Sequence, residues 1–318
     1  MEVILAIEGG ASNTKAILCD MQMEKLGEVK VAKGSNPYLE GFENTANLFH
    51  DLYNTLSTNK QYLLKAIGGC LSGVEGEKNR IAMVNALRTI FADDELQVSL
   101  INDAVGGAAT VTNSVGAVLI AGSGSCGRTV DLSRIATGDF VVATASGFGH
   151  LIWEDACAYS LAQKIVKDVC MRMDGYEHPI PLDSVVVETV MNHFDAVTRH
   201  DIVDQFYHHF NKSHIASLCG KMAPLASESE YLTYRFEELG KELDVLIKLL
   251  LKQHPFDTLV AVGSVWNSFD LFKMHISYEG SIVFLKDTAA WGAAKIAWMA
   301  LHEGQVPPTF EYENVKLR

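Results

Sequence analysis

Leu5-Ala6-Ile7-Glu8-Gly9-Gly10-Ala11-Ser12-Asn13-Thr14 returns in outline further along the chain as Leu119-Ile120-Ala121-Gly122-Ser123-Gly124-Ser125-Cys126-Gly127-Arg128. Each stretch is an apolar strand, a turn of small and hydroxyl residues, and the start of a second strand. Around the first copy the pattern predicts strands at Val3–Glu8, Thr14–Asp20 and Gly27–Lys33. It continues with a helix over Glu43–Leu56, a strand at Leu63–Leu71, a helix over Lys78–Phe91 and a strand at Gln97–Asn102. A small-residue helix, Ala104–Thr112, follows and is suited to close packing against a sheet. The second copy is likewise followed by a third strand near Phe140–Thr144. Residues 151–253 read as mainly helical, Leu259–Val262 and Ile282–Leu285 as strands, Thr288–Leu301 as an Ala-rich helix, and Val306–Arg318 as an extended tail. Three adjacent strands followed by strand–helix alternation predict an α/β chain with mixed sheets under helical cover. The restart predicts a duplicated unit, with domains at 1–113 and 114–299 and a tail from about 300 packing back on the first.

The 318 residues are enough for two such units. Apolar residues make up 48% and charged residues 20%, the balance of a soluble globular protein. Lys+Arg number 26 against 39 Asp+Glu, for a net charge of −13, which disfavours a nucleic-acid or membrane-surface partner. The opening MEVILAIEGG has no basic flank and reads as a buried strand, and no apolar run approaches the roughly 20 residues that span a bilayer. The six cysteines form no C-x-x-C pair, which fits reduced cytoplasmic thiols better than a disulfide framework or zinc site.

Glycines in the first turn let backbone N–H groups approach a phosphate, and the hydroxyls of Ser12 and Thr14 add donors. A carboxylate at the strand end, Glu8, is placed to hold the water shell of Mg²⁺. An ordinary glycine turn explains the same residues. No Lys-Ser/Thr pair follows at Walker A spacing, so a P-loop is excluded. The second turn matches G-x-G-x-x-G, but a strand follows it instead of a helix. The window near position 147, Ala145-Ser146-Gly147-Phe148-Gly149, carries no acid, so the dinucleotide reading fails. Two phosphate-cradling turns remain, and Asp103 lies between them in sequence. Asp103 is either the N-cap of its helix or the base that orients and deprotonates an attacking hydroxyl in phosphoryl transfer. His208, His209 and His214 lack partners at metal-ligand spacing, and Leu243–Leu251 presents an apolar face for a core or a dimer contact.

Taken together, these segments resemble the N-acetylglucosamine kinase family within the actin–hexokinase superfamily, from Ile4 to about Met299. The most specific match is Val260-Ala261-Val262-Gly263-Ser264-Val265-Trp266-Asn267-Ser268. Others are the Glu-Gly-Gly turn, Ser35-Asn36, Leu71-Ser72-Gly73, Asp103-Ala104, Gly122-Ser123-Gly124-Ser125 and Gly147-Phe148-Gly149-His150. The resemblance implies two actin-like (ribonuclease H-like) domains, each built on a mixed five-stranded sheet, with a cleft between. It implies ATP and Mg²⁺ as cofactors and an amino sugar as small-molecule substrate, phosphorylated at its 6-OH by a cytoplasmic homodimer. ATP is expected at Gly9, Gly10, Ser12, Asn13, Thr14, Ser123, Gly124, Ser217, Gly263, Ser264 and Ser268. The sugar is expected at Asn36, Ser72, Gly73, Asp103, Gly147, Phe148, Gly149 and Glu154, with Asp103 as base and Glu8 on the metal through water.

The chain departs from that pattern after His150. The family has two apolar residues and then Gly-Asp-Glu-Gly, whereas this chain has Leu151-Ile152-Trp153-Glu154-Asp155-Ala156. The sugar-binding Asp thus becomes Glu154, one methylene longer. The departure admits a kinase of a different hexosamine, or a sugar or nucleotide sensor that no longer turns over.

Overall fold

The computed structural model describes every residue except Ala11, Ser12, Glu75, Gly138 and Arg318, with Ala136 and Thr137 described in backbone only. The first unit runs β1 (Glu2–Gly9), β2 (Thr14–Asp20), β3 (Lys25–Val31), α1 (Pro37–Glu40), α2 (Phe42–Leu56), β4 (Leu63–Leu71), α3 (Glu77–Phe91), β5 (Gln97–Ile101) and α4 (Asp103–Val111). The second begins with β6 (Val115–Ala121), β7 (Ser125–Asp131) and β8 (Val141–Ser146). Five helices follow: α5 (Ala158–Met173), α6 (Ser184–His193), α7 (Arg199–Tyr207), α8 (Lys212–Met222) and α9 (Glu230–Gln253). It closes with β9 (Thr258–Val262), α10 (Phe269–Phe272), β10 (Ser281–Leu285), α11 (Ala290–Leu301) and β11 (Asn314–Lys316).

Strand order is β3-β2-β1-β4-β5 in the first sheet and β11-β10-β9-β6-β7-β8 in the second. Reading the second backwards and setting β11 aside gives the first again. In each, two hairpins make three antiparallel strands, and two parallel strands extend the sheet on the other side of the first strand. The duplication seen as two glycine turns is therefore a duplication of topology. The second sheet has six strands instead of the expected five because the tail supplies one. The tail does not simply fold back on the first unit: Phe310 stacks on Trp291 of α11, and β11 then pairs antiparallel with β10.

The two helices that end the units are exchanged. α4 packs across β6, β7 and β9, while α11 packs across β1, β4 and β5, and the two pack against one another. Small residues permit this approach. Cys70 and Ala289 press against Gly106, Val118 and Val262 against Gly107, and Gly292 meets the Gly106 carbonyl. α5–α9 stand where the first unit has α1 and α2. Leu243, Leu246, Ile247 and Leu250 of α9 are buried in the second unit's core, so that face belongs to the core.

Candidate active site

In open α/β sheets ligands bind outside the carboxyl ends of parallel strands, where strand order reverses. In the first sheet that point lies between β1 and β4. β1 ends at Glu8-Gly9-Gly10, β4 at Leu71-Ser72-Gly73, and the neighbouring β5 leads into Asn102-Asp103. The loops are laced together: Ser72 N donates to Gly9 O at 3.2 Å and Ser35 N to Gly10 O at 3.0 Å. Asn36 Nδ2 reaches Ser72 Oγ at 3.4 Å while its Oδ1 caps α1 at Tyr38 N, 2.9 Å away. Gly73, at φ +92, has no room for a side chain because Asn36 fills that space. Asn36, Ser72 and Gly73 are thus brought together.

Asp103 is the first residue of α4, half-buried, with Asn102 as the cap accepting from Ala104 N at 2.9 Å. Between Asp103 and Glu8 lies the fully buried Cys70, whose Sγ faces Ile7 O at 3.3 Å. Burial holds its thiol well above the ordinary range, and the Glu8 and Asp103 carboxylates push it further the same way. Cys70 is therefore a neutral wall between two acids. Glu8 Oε2 accepts from Thr288 Oγ1 and from Ala289 N at 3.0 Å, both at the entry to α11. Among the described residues no hydrogen bond goes to Oε1, which stays available to a metal-bound water. One carboxylate oxygen suits Mg²⁺, which keeps most of its water and takes few protein ligands. Among the described residues no cluster of three His, Cys, Asp or Glu side chains forms a metal cage.

In the second sheet the reversal lies between β6 and β9. β6 ends at Gly122-Ser123-Gly124, and β9 at Gly263-Ser264. Gly263, at φ +106, lies directly on Ala121 O and Gly122 N, so any side chain there would strike the turn. Trp266 Nε1 donates to Leu119 O at 3.1 Å, so this tryptophan locks the Gly263 segment onto β6. Ser125 Oγ bonds Ser146 Oγ at 2.9 Å and also donates to Asp155 O, tying the Gly147–Glu154 loop to the same turn. Phe148, 61% exposed, stacks on Trp153 with centroids 6.0 Å apart and planes at 15°.

No family model matches the chain. Among solved structures it is similar to a protein from Porphyromonas gingivalis described provisionally as an N-acetylglucosamine kinase. The TM-score is 0.68 at 15% identity, over 94% of this chain and 99% of that one. A protein of the same description from Chromobacterium violaceum gives 0.65 at 16%, over 93% and 98%. A glucokinase of the ROK family from Streptomyces griseus, in complex with glucose and AMPPNP, gives 0.56 at 12%, over 94% and 98%. The chain has the fold of these kinases.

The remaining expected site residues are placed as follows. Ser12 lies outside the described residues. Thr14 is fully buried and its hydroxyl donates to Lys33 O at 2.7 Å, which commits it to holding the hairpin together instead of facing a phosphate. Asn13 and Ser123 are exposed at their turns, as is Ser264. Ser268 is half-buried within the short helical turn that follows Gly263. Ser217 is exposed on α8, donating to His214 O at 2.7 Å. Glu154 does not stand open toward a sugar. It is paired with Lys212, the first residue of α8, and both lie against Gly124.

Sequence reading missed Lys212, and it missed Thr288 and Ala289 as the holders of Glu8. Nothing local marks them: Lys212 is distant from Glu154 in sequence, and Thr288 is a whole chain away from Glu8. No helix among the described residues is long and apolar enough to cross a membrane.

Proposed function

We propose that the protein is an ATP-dependent sugar kinase acting on N-acetylglucosamine or a closely related hexosamine. What supports this reading is that Asp103, at the head of α4, sits at the same strand ends as the Glu8-Gly9-Gly10 turn. The chain also carries a second glycine turn at the equivalent point of its duplicated sheet.

In this reading the turns at Gly9–Gly10 and Gly122–Gly124 flank the polyphosphate and meet it with the N–H groups they do not use themselves, since Gly10 N already donates to Asn13 O at 3.2 Å and Gly122 N to Gly124 O at 2.9 Å. Asn36, Ser72 and the Gly147–Gly149 loop orient the sugar. Asp103 accepts the proton of the attacking hydroxyl as the new P–O bond forms, and ADP leaves with the electrons of the broken P–O bond. Mg²⁺, when bound, neutralises charge on the phosphates, and Glu8 Oε1 is the group that would hold one of its waters. Enclosure of the reacting groups excludes water as a competing acceptor. A cytoplasmic homodimer is the expected setting.

A second reading, a non-catalytic sensor, draws on the capture of Glu154 by Lys212. One experiment separates the two. Purified protein is mixed with MgATP and a panel of hexosamines, and ADP is followed. The kinase reading expects sugar-dependent turnover, with Asp103→Asn lowering kcat by about 10²–10⁴-fold at nearly unchanged nucleotide affinity. Binding without turnover favours the sensor, and an Asp103→Asn variant as fast as the wild type refutes the assignment of the base.

A further inference from the structure

The ion pair of Lys212 and Glu154 occupies an unusual place. Neither glycine turn contains a basic residue of its own, yet Lys212 Nζ lies 2.9 Å from where a Cβ on Gly124 would stand. The Glu154 carboxylate is closer still to the same point. The missing side chain at Gly124 leaves a hollow, and an acid with its counter-ion has settled into it. Both partners are largely withdrawn from water, with side-chain exposures of 26% for Lys212 and 13% for Glu154.

Lys212 is fixed in position. Asn211 caps α8 by accepting from His214 N at 2.9 Å. Phe210, just before it, stacks on His150 with centroids 5.0 Å apart and meets the edge of Tyr159 at 6.2 Å. Nζ itself lies 6.0 Å above the Tyr159 ring. The acid is anchored equally well: Cys157 Sγ approaches Glu154 O at 3.1 Å, and Ala158 N donates to Gly122 O at 2.8 Å. A lysine thus stands over the turn, and the hollow above Gly124 is filled by a carboxylate from the protein itself.

We propose that Lys212 is a ligand for the nucleotide phosphates and that Glu154 is the placeholder they displace. The proposal rests on the kinase reading of the Gly122–Gly124 turn. A phosphate oxygen entering the turn takes the Lys212 ammonium, and Glu154 is released toward the Gly147–Gly149 loop. This explains why a glutamate stands where the resembling family has an aspartate: the extra methylene lets the carboxylate reach back to the turn.

The test is calorimetric titration of Mg·AMPPNP into wild type, Lys212→Met, Lys212→Arg and Glu154→Gln, each checked for native circular dichroism. Lys212→Met is expected to weaken binding roughly 10- to 100-fold, the range for losing one charge-assisted contact. Lys212→Arg is expected to recover most of the loss. Glu154→Gln is expected to tighten binding several-fold, because the competitor has lost its charge. A merely structural ion pair would make Lys212→Met and Glu154→Gln change affinity in the same direction, and that result overturns the proposal. If Lys212→Met does not fold, the sign of the Glu154→Gln change decides alone. Wild type that turns over sugar, with Lys212→Met at unchanged affinity, refutes this proposal and leaves the kinase reading standing. Wild type that binds no nucleotide removes both.

Discussion

Replacing Gly292 by alanine tests how the two halves are joined. A Cβ there would stand 2.9 Å from the Gly106 carbonyl carbon and 3.0 Å from Thr110 N, with Gly106 O nearer still. Carbon atoms rest at about 3.5–4.0 Å, so α4 and α11 would have to part by roughly 0.5–1 Å. All the obstructing atoms are backbone, so no side chain can swing aside. The helix itself would gain about 1 kcal/mol from alanine in place of glycine. Overpacking of a filled interior costs about 1–3 kcal/mol, and this backbone collision belongs at the upper end. The net expectation is a loss of about 1–2 kcal/mol, which is the difference of those two effects. Gly220, exposed on α8 with nothing within 4 Å of its would-be Cβ, supplies the opposite case. There the propensity gain acts alone, and alanine should stabilise by up to about 1 kcal/mol. Urea unfolding of both variants beside wild type is the assay. The separation also moves Asp103 at the head of α4 and the Thr288–Ala289 clasp on Glu8, and misplacement by about 1 Å can cost on the order of 100-fold in rate. A Gly292→Ala protein as stable as Gly220→Ala, with full turnover, would refute the reasoning.

Two further outcomes are expected. Lys295, buried on α11, donates to Thr112 O at 2.8 Å and Asn113 Oδ1 at 2.9 Å, and burial pushes its ammonium from the ordinary 10.5 down to about 8. Between pH 8 and 10.5 the unfolded chain therefore binds a proton that the folded chain does not, so stability rises with pH across that window. The stability difference of wild type minus Lys295→Met should grow by up to about 3 kcal/mol from pH 8 to 10.5, and a flat difference would contradict it. Asp168 is paired with Arg235 and accepts from Tyr231 Oη at 2.5 Å, all three buried. Arg235 is also paired with Glu238, so Asp168→Asn should cost about 1.5–3 kcal/mol, the loss of one charge-assisted contact to a buried guanidinium, measured by denaturant unfolding, and a loss under 1 kcal/mol would count against it.

The strands and both glycine turns were legible in sequence because each is a local matter: apolar alternation makes the strand, and glycine makes the turn. The sixth strand was not legible, since Asn314–Lys316 is exposed and polar and gains its partner only from the unpaired edge of β10. The placement of Gly263 and Asp103 just past strand ends was legible, because the strand pattern fixes where each falls. The site was illegible where a side chain's freedom depends on distant neighbours. Lys33 O takes the Thr14 hydroxyl, and Lys212 pairs with Glu154, and neither partner is near in sequence. A hydrogen-bonding group can serve a ligand only if the fold has not already used it, and that is a property of the tertiary structure.

The exchange of α4 and α11 bears on how such a site works. Glu8 and Asp103 both belong to the first sheet by chain connectivity, yet each is positioned through the second. Glu8 is gripped by Thr288 and Ala289, which arrive directly from β10, and Asp103 rides on a helix packed across β6, β7 and β9. Both carboxylates are therefore held by backbone that packs against the second sheet or comes directly from it. The glycines at 106, 107 and 292 remove the side chains that would hold these helices apart, so small shifts pass between backbones directly. Gly292 lies three residues along α11 from the Ala289 N–H that holds Glu8 and directly against the Gly106 carbonyl of α4, so a methyl group there is expected to be felt in turnover as well as in stability.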